Sequence, residues 1–205
     1  MDGHAARDEI ARHAARLLRD GKAENVRDAI RLAQASAQRR AGGTLATEVI
    51  QPGLVREHVR GLALEALGDA GYRAHVDAVL AQAEEVMTLL VTQLGEPNAV
   101  LVGRTARAQV DGDPCCRIRV ETDESPGTIA AVLVAAGYEE PVFGTTESRY
   151  GRLARLSFVD EGVAFRIVRC PPGMRIALTR DLKSDKPVPA LTLDAIRRML
   201  AADDG

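Results

Sequence analysis

Ala99-Val-Leu-Val102, Gly103-Arg-Thr105, Cys116-Arg-Ile-Arg-Val120 and Val163-Ala-Phe-Arg-Ile-Val-Arg169 decide the fold. Each hydrophobic run is short, β-branched or alternating, and bounded by turn residues, which is strand behaviour. Between the second run and the third, Pro126 to Ala136 reads as a helix, with Ser125 as its N-cap and Gly137 as its stop. Leu153, Leu156, Phe158 and Val159 lead into Asp160-Glu161-Gly162, a tight turn, so the last run closes a hairpin. Pro171-Pro172-Gly173 ends the sheet, the stretch from Thr179 to Pro189 reads as an exposed loop, and Thr192 caps a final helix through Leu200. About five strands are expected.

Upstream of Pro97 the period is helical. Ile10, Ala14, Leu17 and Leu18 share one face before Gly21, and Val26, Ala29, Ile30, Ala33 and Ala37 form a second stripe, broken at Ala41-Gly42-Gly43-Thr44. Pro52 suits the first turn of a third helix, which buries Val55, Val59, Leu62 and Ala66 and closes at Gly68. Gly71 opens the longest helix, with Tyr72, Val76, Val79, Leu80, Ala83, Met87, Leu90 and Leu94 at helical spacing. The fold class expected is α+β: an N-terminal helical region, residues 1–96, followed by a mixed or antiparallel sheet with packed helices, residues 97–205.

Composition narrows the function classes. The chain has 205 residues, 46% hydrophobic and 27% charged, as in ordinary globular proteins, so a packed core is within reach. A net charge of -2 gives no global pull toward nucleic acid or a membrane surface. Aromatic residues make up 3% with no Trp, which leaves almost none for base stacking, so nucleic acid is not an expected partner. No apolar run approaches the roughly 20 residues of a membrane span, and the first residues form no hydrophobic signal segment. Three cysteines, two adjacent, make no disulfide framework, and a reducing cytoplasm fits them best.

Strand, Gly-Arg-Thr turn, strand, helix and hairpin, in that order, resemble the polymerase-beta-like nucleotidyltransferase superfamily. The resemblance is to a bacterial branch in which a helical region precedes a minimal nucleotidyltransferase unit. It spans the whole chain and is strongest from Glu85 to Met174. It implies a phosphate-holding turn at Gly103, Arg104 and Thr105, with Thr105 supplying a hydroxyl. It also implies two metal-binding carboxylates one residue apart on the next strand, a third on a later strand, and magnesium with a nucleoside triphosphate.

The acids do not follow that pattern. Asp111 and Asp113 have the one-residue gap, but Gly112 and Pro114 around them favour a hairpin loop over a central strand. If the strand runs from Cys115 to Val120, the carboxylate positions hold Cys115 and Arg117, and the third falls near Arg166. Guanidinium groups repel a divalent cation but bind phosphate or carboxylate bidentately. Arg117 and Arg166, with the Gly103-Arg104-Thr105 turn, therefore form a candidate anion site without metal or cofactor. The plainer reading is that these arginines solvate an exposed sheet face or pair with Glu121 or Glu147.

Three functions stay open. One is a catalytically degenerate nucleotidyltransferase-like protein that binds a nucleotide or other phosphorylated ligand, or regulates. The second is an active enzyme using Asp111 and Asp113 with magnesium. The third is an interaction module whose helical half pairs with a partner or with itself, recognisable by a large exposed apolar patch. The cysteines read as buried structural residues. His4, His13, His58 and His75 show no metal-binding spacing, and Glu84-Glu85, Asp123-Glu124 and Asp160-Glu161 read as solvated or turn positions.

Overall fold

The computed structural model describes residues 3–23, 25–41, 49–95, 97–110 and 114–202. Its elements in chain order are helices α1 (Gly3–Arg19), α2 (Val26–Arg40) and α3 (Pro52–Gln93), strands β1 (Asn98–Val102) and β2 (Cys115–Glu121), and helix α4 (Pro126–Ala135). Strands β3 (Val142–Ser148), β4 (Gly151–Asp160), β5 (Val163–Cys170) and β6 (Ala190–Thr192) follow, then helix α5 (Leu193–Ala202). The fold is α+β. The chain forms two compact units, residues 1–72 and 73–205. The change from helix to strand falls at Pro97, but the units divide between Tyr72 and Arg73, inside α3.

In the first unit the core is built from small side chains. Ala11, Ala14 and Ala15 of α1 meet Ala29 and Ala33 of α2, with Ile50, Val55 and Val59 completing the cluster. Alanine lets helix backbones approach closely, which suits a chain with few aromatics. The Asn25 side chain caps α2 by accepting from the backbone N–H groups of Arg27 and Asp28. Asp8 links α1 to the first half of α3 through His58, with Nε2 2.8 Å away, and also pairs with Arg12 at 2.6 Å. Gly68, at φ 68 and ψ 172, breaks α3 into two helical segments with no loop between them.

The second unit is a six-stranded sheet among the described residues, in the order β3-β4-β5-β2-β1-β6. Neighbours are antiparallel except β2 and β5, which run parallel. The β4–β5 hairpin turns at Glu161 and Gly162, both with positive φ (44 and 81), the left-handed pair that a two-residue hairpin loop needs. Ser125 accepts from the Thr128 N–H at 3.0 Å and starts α4. Thr192 accepts from the Ala195 N–H at 3.3 Å and starts α5.

Alternation divides the sheet into two unlike faces. Cys116, Ile118, Val120, Phe165, Ile167, Leu156, Phe158 and Leu101 lie on one and are buried. The second half of α3 covers this face, where the Cys116 thiol reaches the Val79 carbonyl at 3.9 Å. Tyr138, just after α4, packs on Phe158, and Phe158 stacks on Phe165 with ring centroids 5.0 Å apart. Arg197 of α5 bonds to Glu84 of α3 at 2.7 Å and to the Thr88 hydroxyl at 2.9 Å.

The opposite face carries Cys115, Arg117, Arg119, Arg155, Ser157, Arg166 and Val168, by the same alternation. The segment from Pro171 to Pro189 covers one end of it, where Leu153, Cys170, Ile176 and Leu182 cluster.

Burial pushes the Cys116 thiol up to about 12 and the Cys170 thiol up to about 11. Since the thiolate is the nucleophile, both should be inert to alkylation at about pH 8. Native labelling should modify Cys115, which is partly exposed, and denaturation should open all 3 cysteines. Native modification of Cys116, read by mass spectrometry, would contradict its burial under α3.

Candidate functional site

The parallel register of β2 and β5 sets Arg117 directly beside Arg166. Across the sheet, Arg117 also faces Val102 of β1, and Arg166 faces Ser157 of β4. Two residues along the same face stand Cys115 and Arg119 on β2, and Ala164 and Val168 on β5. No position in this grid is acidic. Both arginines are exposed, and among the described residues neither makes a hydrogen bond or an ion pair.

The acids that sequence reasoning set against them are engaged elsewhere. Glu121 accepts from the Asn98 side chain at 2.7 Å, and Glu147 pairs with Arg152 at 2.7 Å. Two like charges directly opposite in a sheet are destabilising. An anion that bonded both would relieve this repulsion and accept charge-assisted hydrogen bonds from each.

Arg119, one step along β2, has a different role. It is 7% exposed and sits under the covering segment. Its Nη1 donates to the Leu178 carbonyl at 2.7 Å and also to the Arg180 carbonyl. Burial lowers its pKa, Cys170 and Asp181 oppose that, and neighbouring Arg117 adds to the lowering. A guanidinium stays charged through such a change, so Arg119 is a fixed cation that pins the segment to the sheet. Within the segment, Asp181 accepts from the Ser184 N–H and hydroxyl and from the Lys183 N–H, which hold its carboxyl below the usual range.

The Gly103-Arg104-Thr105 turn stands at the end of β1, beside Arg117. A Cβ on Gly103 would lie 4.0 Å from the Arg117 Cδ, an ordinary contact, so it is the φ of 91 that requires glycine here. The Gly103 N–H donates to the Pro189 carbonyl at 2.9 Å. The Thr105 hydroxyl is buried and donates to the Cys115 carbonyl at 3.0 Å. The Arg104 carbonyl accepts from the Arg107 and Gln109 N–H groups. These bonds splice β1, β2 and the covering segment together. The Gly103 N–H and the Thr105 proton are thus committed to the protein, while Arg117 and Arg166 are the groups left facing outward.

Asp111 and Asp113 lie outside the described residues. Among the described residues, no three His, Cys, Asp or Glu side chains group as metal ligands. Sequence reasoning missed Arg155, which shares the arginine face from β4. Its signal was Arg155-Leu156-Ser157, a polar-apolar-polar alternation in a strand. No known protein family matches the chain, and no curated protein matches it.

Arg119→Leu should destabilise the protein by about 2–3 kcal/mol, because two carbonyls lose a charged donor. Amide exchange should accelerate across residues 176–189 before it does in the rest of the sheet. An unchanged denaturation midpoint would show that the segment is held by its apolar cluster alone.

Proposed function

We propose that the chain is a nucleotidyltransferase-like protein that binds a nucleotide or another phosphorylated ligand without metal, on the sheet face bearing Arg117 and Arg166. The observation that carries this reading is the register pairing of two exposed arginines in a grid with no acidic neighbour. The resemblance puts metal-binding carboxylates at these positions. Guanidinium groups there exclude a divalent cation and offer forked donors to phosphate oxygens instead.

Further support comes from the order of elements. An antiparallel β1–β2 pair is followed by a helix and a hairpin, and the hairpin's last strand returns beside β2. The interaction-module reading has less behind it. Among the described residues of the first unit, the exposed large hydrophobics are Val49 and Leu67, which form no broad patch. No helix among the described residues is long and apolar enough to cross a membrane.

A nucleoside triphosphate or inorganic polyphosphate should raise the melting temperature with chelator present, and magnesium should add nothing. Arg117→Ala combined with Arg166→Ala should abolish the shift. A shift that survives the double variant leaves the arginines as a solvated face. Binding that needs magnesium and vanishes in Asp111→Ala with Asp113→Ala assigns an active enzyme.

A further inference from the structure

The arginine face extends beyond the Arg117–Arg166 pair. Arg155 on β4 is in register with Gly144 on the edge strand β3. Its guanidinium lies over that glycine: a Cβ on Gly144 would stand 2.7 Å from a terminal nitrogen and 3.3 Å from the central carbon. The Arg155 Nε is enclosed and finds no acceptor among the described residues. A buried donor without a partner is uncommon and calls for an explanation. Among the described residues no carboxylate pairs with this cation, which packs against the β3 backbone at Gly144.

Ser157 lies between the two cationic regions, on β4 beside Arg166. From the edge inward, the face therefore presents the Arg155 guanidinium over β3, Ser157 on β4, Arg166 on β5 and Arg117 on β2. Four adjacent strands span about 14 Å at the ordinary spacing. One phosphate group cannot engage both ends of such a strip.

We propose that the strip is a single site for an elongated anion, a linear chain of linked phosphates, either free or carried by a nucleoside. Arg117 and Arg166 hold one end, Ser157 donates to the middle and Arg155 holds the other end. The proposal rests on the anion-site reading of Arg117 and Arg166, and adds to it the length of the ligand and a residue that selects for it. A nucleic-acid strand is disfavoured by the net charge of -2 and by an aromatic content of 3%, which supplies no stacking platform.

The test is titration of the whole chain at fixed ionic strength, with chelator present. The probes are orthophosphate, inorganic triphosphate, a nucleoside triphosphate, long linear polyphosphate and a single-stranded oligonucleotide. Affinity should rise with chain length. Arg155→Ala should weaken long polyphosphate about tenfold or more and leave orthophosphate unchanged. Gly144→Ala should act in the same direction, because its methyl displaces the guanidinium. The displaced atoms are the far end of a flexible side chain, so folding should survive, as a thermal melt will check.

Equal binding of inorganic and nucleoside triphosphate supports a free chain, and tighter nucleoside triphosphate supports a nucleoside-borne one. If Arg155→Ala leaves long-chain affinity intact while the Arg117 and Arg166 variants lose it, the extension is wrong and the two-arginine site stands. If the wild type binds none of the phosphates, both are wrong. An oligonucleotide bound more tightly than polyphosphate of equal charge would overturn the assignment of the ligand.

Discussion

Strand β5 pairs parallel to β2, and this pairing sets both the topology of the second unit and the composition of its exposed face. Parallel neighbours cannot be joined by a tight hairpin and need a long crossover. The chain uses α4, β3 and β4 for it. That crossover delivers Val163–Cys170 beside Cys115–Glu121 with Arg117 against Arg166. A one-residue slip of β5 would carry Arg166 into the apolar face under α3 and bring Phe165 to the other face. The apolar side therefore enforces the register that brings the arginines together.

The two faces are stabilised differently. On one, Ile118, Val120, Phe165, Ile167 and Leu156 bury fully against helices, which supplies most of the unit's hydrophobic stabilisation. On the other, one arginine is satisfied by backbone carbonyls while its neighbours lack protein partners among the described residues. A chain selected only for stability would dilute such a cluster with acids, since like charges on adjacent strands repel. The arginine face is in this sense a local departure from the consistency of the rest of the fold, the kind of departure that functional sites show.

Local signals were legible in the sequence. The Ser125 cap, the Gly68 break in α3 and the Glu161-Gly162 turn are fixed by residues within a few positions, and each is found where that chemistry puts it. Two strands were not. β3 contains Gly144, Thr145 and Thr146 and is mostly exposed, so it lacks the apolar alternation that marks a half-buried strand. β6 is three residues long and falls between Pro189, where the stretch that reads as loop ends, and the helix that Thr192 caps. The division between Tyr72 and Arg73 falls a few residues after the Gly68 break, which the sequence marks as a helix end but not as a boundary between cores. Placing Arg117 and Arg166 as candidates needed only strand alternation. The same alternation marked Arg155, but its place over Gly144, and the bond from Thr105 to Cys115, needed pairings between distant segments, which single-sequence patterns do not carry.

The central claim is that the arginine face holds cations awaiting an anion. It is tested most directly by nuclear magnetic resonance of the arginine Nε–H groups during a phosphate-chain titration at constant ionic strength, with chelator present. The account predicts saturable shifts of the Arg117 and Arg166 signals, while Arg152 and Arg169, which bond to Glu147 and to the Asp123 and Glu124 carbonyls, stay in place. Small, unsaturable shifts spread evenly over all the arginines would contradict it.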